Sequence, residues 1–376
     1  MRRINYLDAL RAGAMVVVVA WHVTAPWTGI IPLSESTTSA IQWPLTLSQW
    51  SLPVFFLMAG FFGGTLRAHW GTARFARNRI LRIGLPLVVG LVTVVPLTWM
   101  LFSKYLSTEV DLVRGGLLHL WFLYYVLLFY GLMVVFPHVP KAAWWRQQTE
   151  ALLRSSMAVP ALATLTLALL FAARLVPAAP LWAIPNLSLV AFYGSFFALG
   201  AVVQGSSNGM DLIGRRPGLS ATLTLVALFP TVLLRSGPIN AAPGTLVGST
   251  QGWAWTAAFC VLAWSATFTV CGLARRFLSA ESPAIRYVAD SSYWIYLTHL
   301  PLVVLLIVLI KPLELPFWVA WPLVMAVLFT GLLITYELVV RHTLVGRILN
   351  GPRPRRQWGR PARTQARRGL PEGHSG

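Results

Sequence analysis

Ten apolar runs of bilayer length constrain this chain more than any other feature. They fall near residues 10–30, 44–66, 81–102, 117–137, 157–176, 186–204, 218–236, 252–272, 288–310 and 316–340. Each has roughly the 17–25 residues that an α-helix needs to cross a hydrocarbon core. In hydrocarbon the backbone must satisfy its own hydrogen bonds, so such runs become helices. The sixth is the weakest, because Pro185 and Gly194 interrupt it. With 56% hydrophobic and 11% charged residues in 376, little remains from which to build a soluble domain. The expected fold is an all-α integral membrane bundle of about ten transmembrane helices. The first run is too long for a signal-peptide core and reads as a retained anchor helix.

Charge in the connections sets the expected orientation. Basic residues gather in alternate loops: Arg2, Arg3 and Arg11; then Arg67, Arg74, Arg77, Arg79 and Arg82; then Lys141, Arg146 and Arg154; then Arg215 and Arg216; then Arg275, Arg276 and Arg286. The intervening stretches 31–43 and 177–186 have none, and Lys104 and Arg114 are offset by Glu109 and Asp111. The positive-inside rule then puts both termini in the cytoplasm, and the expected location is the cytoplasmic (inner) membrane. The net charge of +19 is explained by orientation and lipid attraction, so no nucleic-acid partner is expected. Residues 1–342 form the membrane-embedded unit. Residues 343–376, rich in Arg, Pro and Gly, read as a disordered cytoplasmic tail drawn to the phospholipid bilayer. Residues 71–80 are basic with scattered apolar positions and are expected in the inner interface. Cys260 and Cys271 lie too far apart on one helix for a disulfide. No Cys/His cluster has metal-ligand spacing, so no metal is expected.

Four groups of residues could carry chemistry. Asp8, Arg11 and His22 lie on the first run. At about 100° per residue, the step from Arg11 to His22 is roughly 20° off whole turns and that from Asp8 to His22 roughly −40°. All three therefore share one stripe, with Arg11 and His22 about 16 Å apart along the axis. Asp8 has an ordinary reading as a helix cap and Arg11 as a residue snorkelling to headgroups. An imidazole at bilayer depth is costly and points to a wet cavity or a bundle interior. Arg79 and Arg82, three residues apart, are neighbours on a helix face and suit a phosphate clamp, or simply decorate the inner side. Arg67, Arg74 and Arg77 read as decoration. His119-Leu-Trp121-Phe-Leu-Tyr-Tyr125 opens the fourth run from the outer side, near Trp27, Trp43 and Trp50. It reads as an aromatic belt that also offers an imidazole and stacking surfaces to a sugar. In the ninth run Asp290 or Ser291 is the expected N-cap. Ser292, Tyr296 and His299 follow at i, i+4 and i+7 on one face. Glu337 and Arg341, at i and i+4, are expected to pair.

Asp8-Ala-Leu-Arg11 with ten residues before His22, Arg79-x-x-Arg82, the Trp121-Phe-Leu run and Tyr296-Leu-Thr-His299-Leu-Pro301 together resemble the integral-membrane acyltransferase-3 family. That family includes O-antigen and peptidoglycan O-acetylases and glucan succinyltransferases. The resemblance spans about residues 1–342. It implies a transmembrane O-acyltransferase that moves an acetyl or succinyl group from cytoplasmic acyl-CoA to a hydroxyl of an extracytoplasmic glycan. His22 would be the general base or carry the acyl group. Arg11, Arg79 and Arg82 would hold the donor. Asp8, His119, Trp121, Tyr296 and His299 would support the site or the substrate. Some relatives add a soluble hydrolase-like C-terminal domain, where this chain has only the Arg-rich tail. From the residues alone, a transporter or flippase of a polar or lipid-linked solute is the rival, since intramembrane His and Arg suit it too. Pro53, Pro86 and Pro301 lie within or near spans, but no two-fold repeat accompanies them. A non-catalytic scaffold in a glycan-assembly complex is a weaker third.

The loop charges predict that a cysteine placed at Thr38 or Thr250 reacts with an impermeant thiol reagent added to the extracytoplasmic side of intact cells. Protection of position 38 from outside, with labelling only after permeabilisation, would invert the topology.

Overall fold

In the computed structural model, the described residues are 4–30, 33–106, 116–136, 143–172, 185–206, 209–234 and 249–350. Among them the chain is helical and contains no strand. The tail beyond residue 350 and the loop charges at Lys141, Glu109, Asp111 and Arg114 lie outside them.

The helices are α1 (Asn5–Ile30), α2 (Glu35–Leu47), α3 (Ser51–Trp70), α4 (Thr72–Arg79), α5 (Leu85–Val92), α6 (Val94–Leu106), α7 (Trp121–Val135) and α8 (Ala143–Arg154). They continue with α9 (Ala158–Ala172), α10 (Leu187–Val203), α11 (Pro217–Leu233), α12 (Thr250–Phe277), α13 (Pro283–Ile310), α14 (Phe317–Thr335) and α15 (Leu344–Asn350). Seven stretches of the described residues are long and apolar enough to cross a membrane: Asn5–Ala25, Glu35–Trp70, Thr72–Lys104, Leu118–Val135, Thr250–Phe277, Pro283–Leu313 and Phe317–Val340. Helices α9, α10 and α11 are apolar but shorter, and occupy the places of the fifth, sixth and seventh expected spans. Large apolar side chains lie exposed on several helices, among them Val88 and Val92 on α5, Leu225 and Phe229 on α11, and Trp318 and Val327 on α14. Apolar surface left exposed on so many helices fits a lipid-facing boundary.

Two packed cores meet along α1. Tyr6, Leu7 and Leu10 join a core built from α3, α7, α10 and α12. Met15, Val19, Val23 and Trp27 join a second one with α13 and α14. Helix α1 is apolar on nearly every face, as a helix buried between two layers must be. It packs alongside α13 and α3. Helix α3 in turn crosses α10 on glycines. A Cβ added at Gly60 would meet the Phe197 carbonyl oxygen, and one at Gly200 the Leu57 carbonyl oxygen. Such close approach lets the two backbones pack without intervening side chains.

Four local features differ from the sequence expectation. Residues 35–43, read as part of a connection, form α2 together with the first residues of the second expected span, capped by Ser34, whose Oγ accepts from the Thr37 N–H at 3.2 Å. The third span is interrupted: a π-helical turn, Ile80–Gly84, follows α4, and Thr93 separates α5 from α6. Helix α13 starts at Pro283 with Ser282 as its N-cap, not at Asp290 or Ser291, which lie two turns inside. Ser followed by Pro is the stronger start signal, because proline's fixed φ suits the first helical position and lacks the N–H that would go unpaired. Helix α15 continues ordered structure past residue 342, and its Leu349 is buried in the second core. Pro185 and Gly194 do not break α10, which Asn186 caps by accepting from the Ser188 N–H at 2.9 Å. Both cysteines are buried and free. Arg341 reaches both carboxylate oxygens of Glu337 at 2.7 Å.

The glycine crossing predicts that Gly60→Ala lowers stability by roughly 1–3 kcal/mol through a backbone collision. Gly131→Ala, where an added Cβ meets nothing within 4 Å, should change little. Thermal unfolding of the detergent-purified variants measures both; equal melting of the two would remove the crossing as a determinant.

Candidate active site

A cavity of about 350 Å³ opens where α1, α7 and α13 meet the π turn. This is at the small end of the range for small-molecule sites. Arg11, Arg79 and Arg82 line one end, with Asp290 and Tyr293. Met15, Val18, Leu52, Phe55, Phe122, Leu123 and Val126 make an apolar body, and Ser292 and Tyr296 add hydroxyls. Leu349 of α15 also lines it. The local chain explains the arginine end. Arg79 closes α4 and Arg82 sits in the π turn that follows it, and both line the cavity. Arg79 lies over the Phe75 and Tyr130 rings, at 5.6 and 5.5 Å, and donates to Asn78 Oδ1. Its Nε is buried with no hydrogen-bond partner. Tyr293 donates to the Arg82 carbonyl at 2.7 Å and so braces the turn against α13.

Three imidazoles gather beyond the apolar body. His22 is 17 residues into α1 (22 − 5) and His299 is 16 into α13 (299 − 283). At 1.5 Å per residue both lie roughly 25 Å along their helices. Their ring centroids are 4.9 Å apart. His119 completes the triangle, 4.9 Å from His299 and 6.4 Å from His22. It reaches there from a short 3₁₀ turn, Leu118–Leu120, entered through Leu118 at φ 45°. A left-handed leucine is strained, by about 1–3 kcal/mol, and such strain persists where surrounding contacts fix it. Here Tyr296 supplies one, donating its hydroxyl to the His119 carbonyl.

Backbone carbonyls set the tautomers. A carbonyl only accepts, so the ring nitrogen facing it carries the hydrogen. His22 Nδ1 donates to Val18 O at 2.8 Å, which leaves its Nε2 with a free lone pair. His299 Nδ1 donates to Tyr296 O at 2.8 Å and Ile295 O at 3.0 Å. His119 Nε2 donates to Leu297 O at 3.3 Å. His299 Nε2 and His119 Nδ1 are buried with no partner. His22 is only partly buried, whereas His119 and His299 are almost fully so. Val18, whose carbonyl orients the His22 ring, also lines the cavity, so the cavity ends one turn short of His22. The arrangement offers a cationic mouth, an apolar channel and, past its end, a base whose lone pair is not used internally.

The site residues named from sequence fall into three groups. Arg11, Arg79, Arg82 and Tyr296 line the cavity, and His22, His119 and His299 form the triangle. His119, expected at an outer aromatic belt, is instead 4% exposed in the interior. Trp121 turns to the other core, against Tyr125 and Tyr193 at 5.7 and 5.5 Å. Asp8 is buried near the start of α1 and is not among the residues lining the cavity. Arg67 is buried and donates to the Met133 carbonyl, which ties α3 to α7. The sequence reading missed Tyr293 and Leu349 as cavity residues. The signal for Tyr293 was a polar residue next to Ser292 in an apolar helix; Leu349 carried none. Among the described residues no group of three or more His, Cys, Asp or Glu is arranged to hold a metal ion.

A family model described as an acyltransferase domain matches residues 4–338, which takes in every residue of the cavity except Leu349 and all three histidines. No curated protein and no solved structure matches the chain. With a match of that extent over a bundle of membrane-length helices, the chain belongs to the acyltransferase-3 family and is a membrane acyltransferase.

Proposed function

We propose that the protein transfers a short acyl group, acetyl or succinyl, from cytoplasmic acyl-CoA to a hydroxyl of an extracytoplasmic glycan, with His22 as the general base. The observation that carries this reading is the cavity itself: three arginines at one end, an apolar body, and a base one turn past its far end. Guanidinium groups hold phosphates by charge-assisted hydrogen bonds. Arg11, Arg79 and Arg82 would take those of CoA, and the pantetheine arm would run along Met15, Phe55, Phe122 and Val18. The axial distance from Arg11 to His22, about 16 Å, is comparable with an extended arm of that kind. Ten spans with both termini in the cytoplasm would put the arginine end inside and the histidines toward the outer face, where an acceptor arrives.

The chemistry balances without another reactant. His22 Nε2 takes the acceptor's hydroxyl proton as its oxygen attacks the thioester carbonyl. The C–S bond breaks, the thiolate takes that proton from the imidazolium, and the ester and free CoA leave. An imidazole suits this because its proton affinity lies close to physiological pH.

Two sets of variants test the reading. Arg79→Ala and Arg82→Ala should each raise the KM for acyl-CoA by the equivalent of about 1.5–3 kcal/mol, the value of a charge-assisted contact. Arg74→Ala should change little, since Arg74 is exposed, lies over the Trp70 ring at 5.3 Å and does not line the cavity. Equal losses in all three would mean that general basicity, and not a site, binds the donor.

His22→Gln keeps polarity but takes up no proton, so transfer should fall about 10²–10⁴-fold while acyl-CoA binding persists. His22→Ala should be no worse. The assay is acyl transfer in membranes at matched protein levels, with products identified by mass spectrometry. Near-normal turnover by His22→Gln would rule out the base. Exposure to radioactive acyl-CoA without acceptor should leave the wild-type protein unlabelled; a stable label on His22 would mean that it carries the acyl group.

A further inference from the structure

The reaction leaves α15, which puts Leu349 into the cavity wall, without a role. Helix α15 packs against the π turn that carries Arg82, against α13, and against a second π-helical turn, Tyr336–Val340. It therefore stands at the arginine end and bridges two elements that line that end. Its hold there is slight. Seven residues are too few for a helix to persist by itself. Between Leu344 and Leu349 only Gly346 and Leu349 are buried, one turn apart on one face, while Leu344, Val345, Arg347 and Ile348 are exposed. Gly346 seats against Val340, whose carbonyl oxygen an added Cβ would strike. A segment held by so few buried contacts belongs to the least stable part of a fold and opens on its own.

The cavity is also small for the donor it is read to bind. About 350 Å³ is the low end even for a drug-sized ligand, and an acyl-CoA, with its nucleotide, pyrophosphate and pantetheine arm, is larger. We propose that α15 is a latch on the donor cavity. Seated, it closes the wall between the π turn and α13, and it swings outward as acyl-CoA enters. The hinge is the turn at residues 341–343, which joins the second π turn to α15. This rests on the reading of acyl-CoA as the donor. A ligand that needs the open form has its dissociation constant raised by the reciprocal of the open fraction. Leu349 then opposes donor binding although it lines the cavity, whereas an ordinary wall residue would favour it. The sign of its substitution separates the two roles.

Leu349→Ser removes the buried anchor. Gly346→Ala lifts α15 off Val340 at a position that does not line the cavity, and keeps the test decisive if Leu349→Ser fails to fold. Each should lower the Kd for CoA roughly 10-fold, mainly through a faster on-rate, as expected when a minor open state becomes the major one. The measurements are equilibrium titration and stopped-flow tryptophan fluorescence with CoA and no acceptor, on purified full-length protein in lipid nanodiscs. In the wild type, CoA should also speed hydrogen–deuterium exchange at the amides of residues 344–350. Weaker CoA binding by Leu349→Ser, or an unchanged Kd in both variants, overturns the proposal. So does slower exchange over 344–350 with CoA, the mark of a wall that tightens on its ligand. Failure of the donor reading looks different: neither the wild type nor either variant binds CoA, which defeats that reading and the latch with it. Binding by the wild type without a gain in the variants defeats the latch alone.

Discussion

Helices α1 and α13 lie alongside one another, and the meeting of His22 with His299 depends on that pairing. Each carries a histidine about the same distance from its start, so running in the same direction brings the two rings together. The same direction also puts Arg11 and Tyr293 at the same end of the cavity, away from the imidazoles. Helix α1 can take this position because its surface is apolar enough to be buried between two cores. The charges stay at the mouth, where desolvation is incomplete, and only groups that can be neutral lie deep.

Much of this was legible in the sequence because it depends on period and length. That Arg11 and His22 share one stripe of α1, and Ser292, Tyr296 and His299 one face of α13, follows from 3.6 residues per turn; the same period put Asp8 on that stripe, but Asp8 does not line the cavity. The pairing of Glu337 with Arg341 follows from the same rule. What was not legible falls into two kinds. His119 is 97 residues from His22 (119 − 22) and 180 from His299 (299 − 119), and nothing local announces a contact across such distances. Its placement hangs on a left-handed Leu118, a backbone state that a leucine side chain disfavours and that only tertiary contacts impose. The second kind is local but ambiguous. The π turn at Ile80–Gly84 has no distinctive composition, and the helix-start signal of Ser282-Pro283 competed with that of Asp290 and Ser291, which mark where the apolar run begins, not where the helix does. A helix need not be apolar from its first residue when its first two turns lie outside the hydrocarbon.

The pairing of α1 with α13 has a consequence for how the protein is made. His22 leaves the ribosome well before His299, which follows 277 residues later (299 − 22). At typical synthesis rates of about 5–20 residues per second, roughly 14–55 s separate them. For that interval α1 sits in the bilayer with a polar ring and without the helix that covers it. It must be sheltered meanwhile by α3, which emerges within the next few dozen residues and packs against it, or by the insertion machinery. The histidine cluster is therefore assembled only after α13 has been made. A chain that stops short of α13 would keep Arg11 and Arg79 but leave His22 without its neighbouring ring, and so open to membrane quality control.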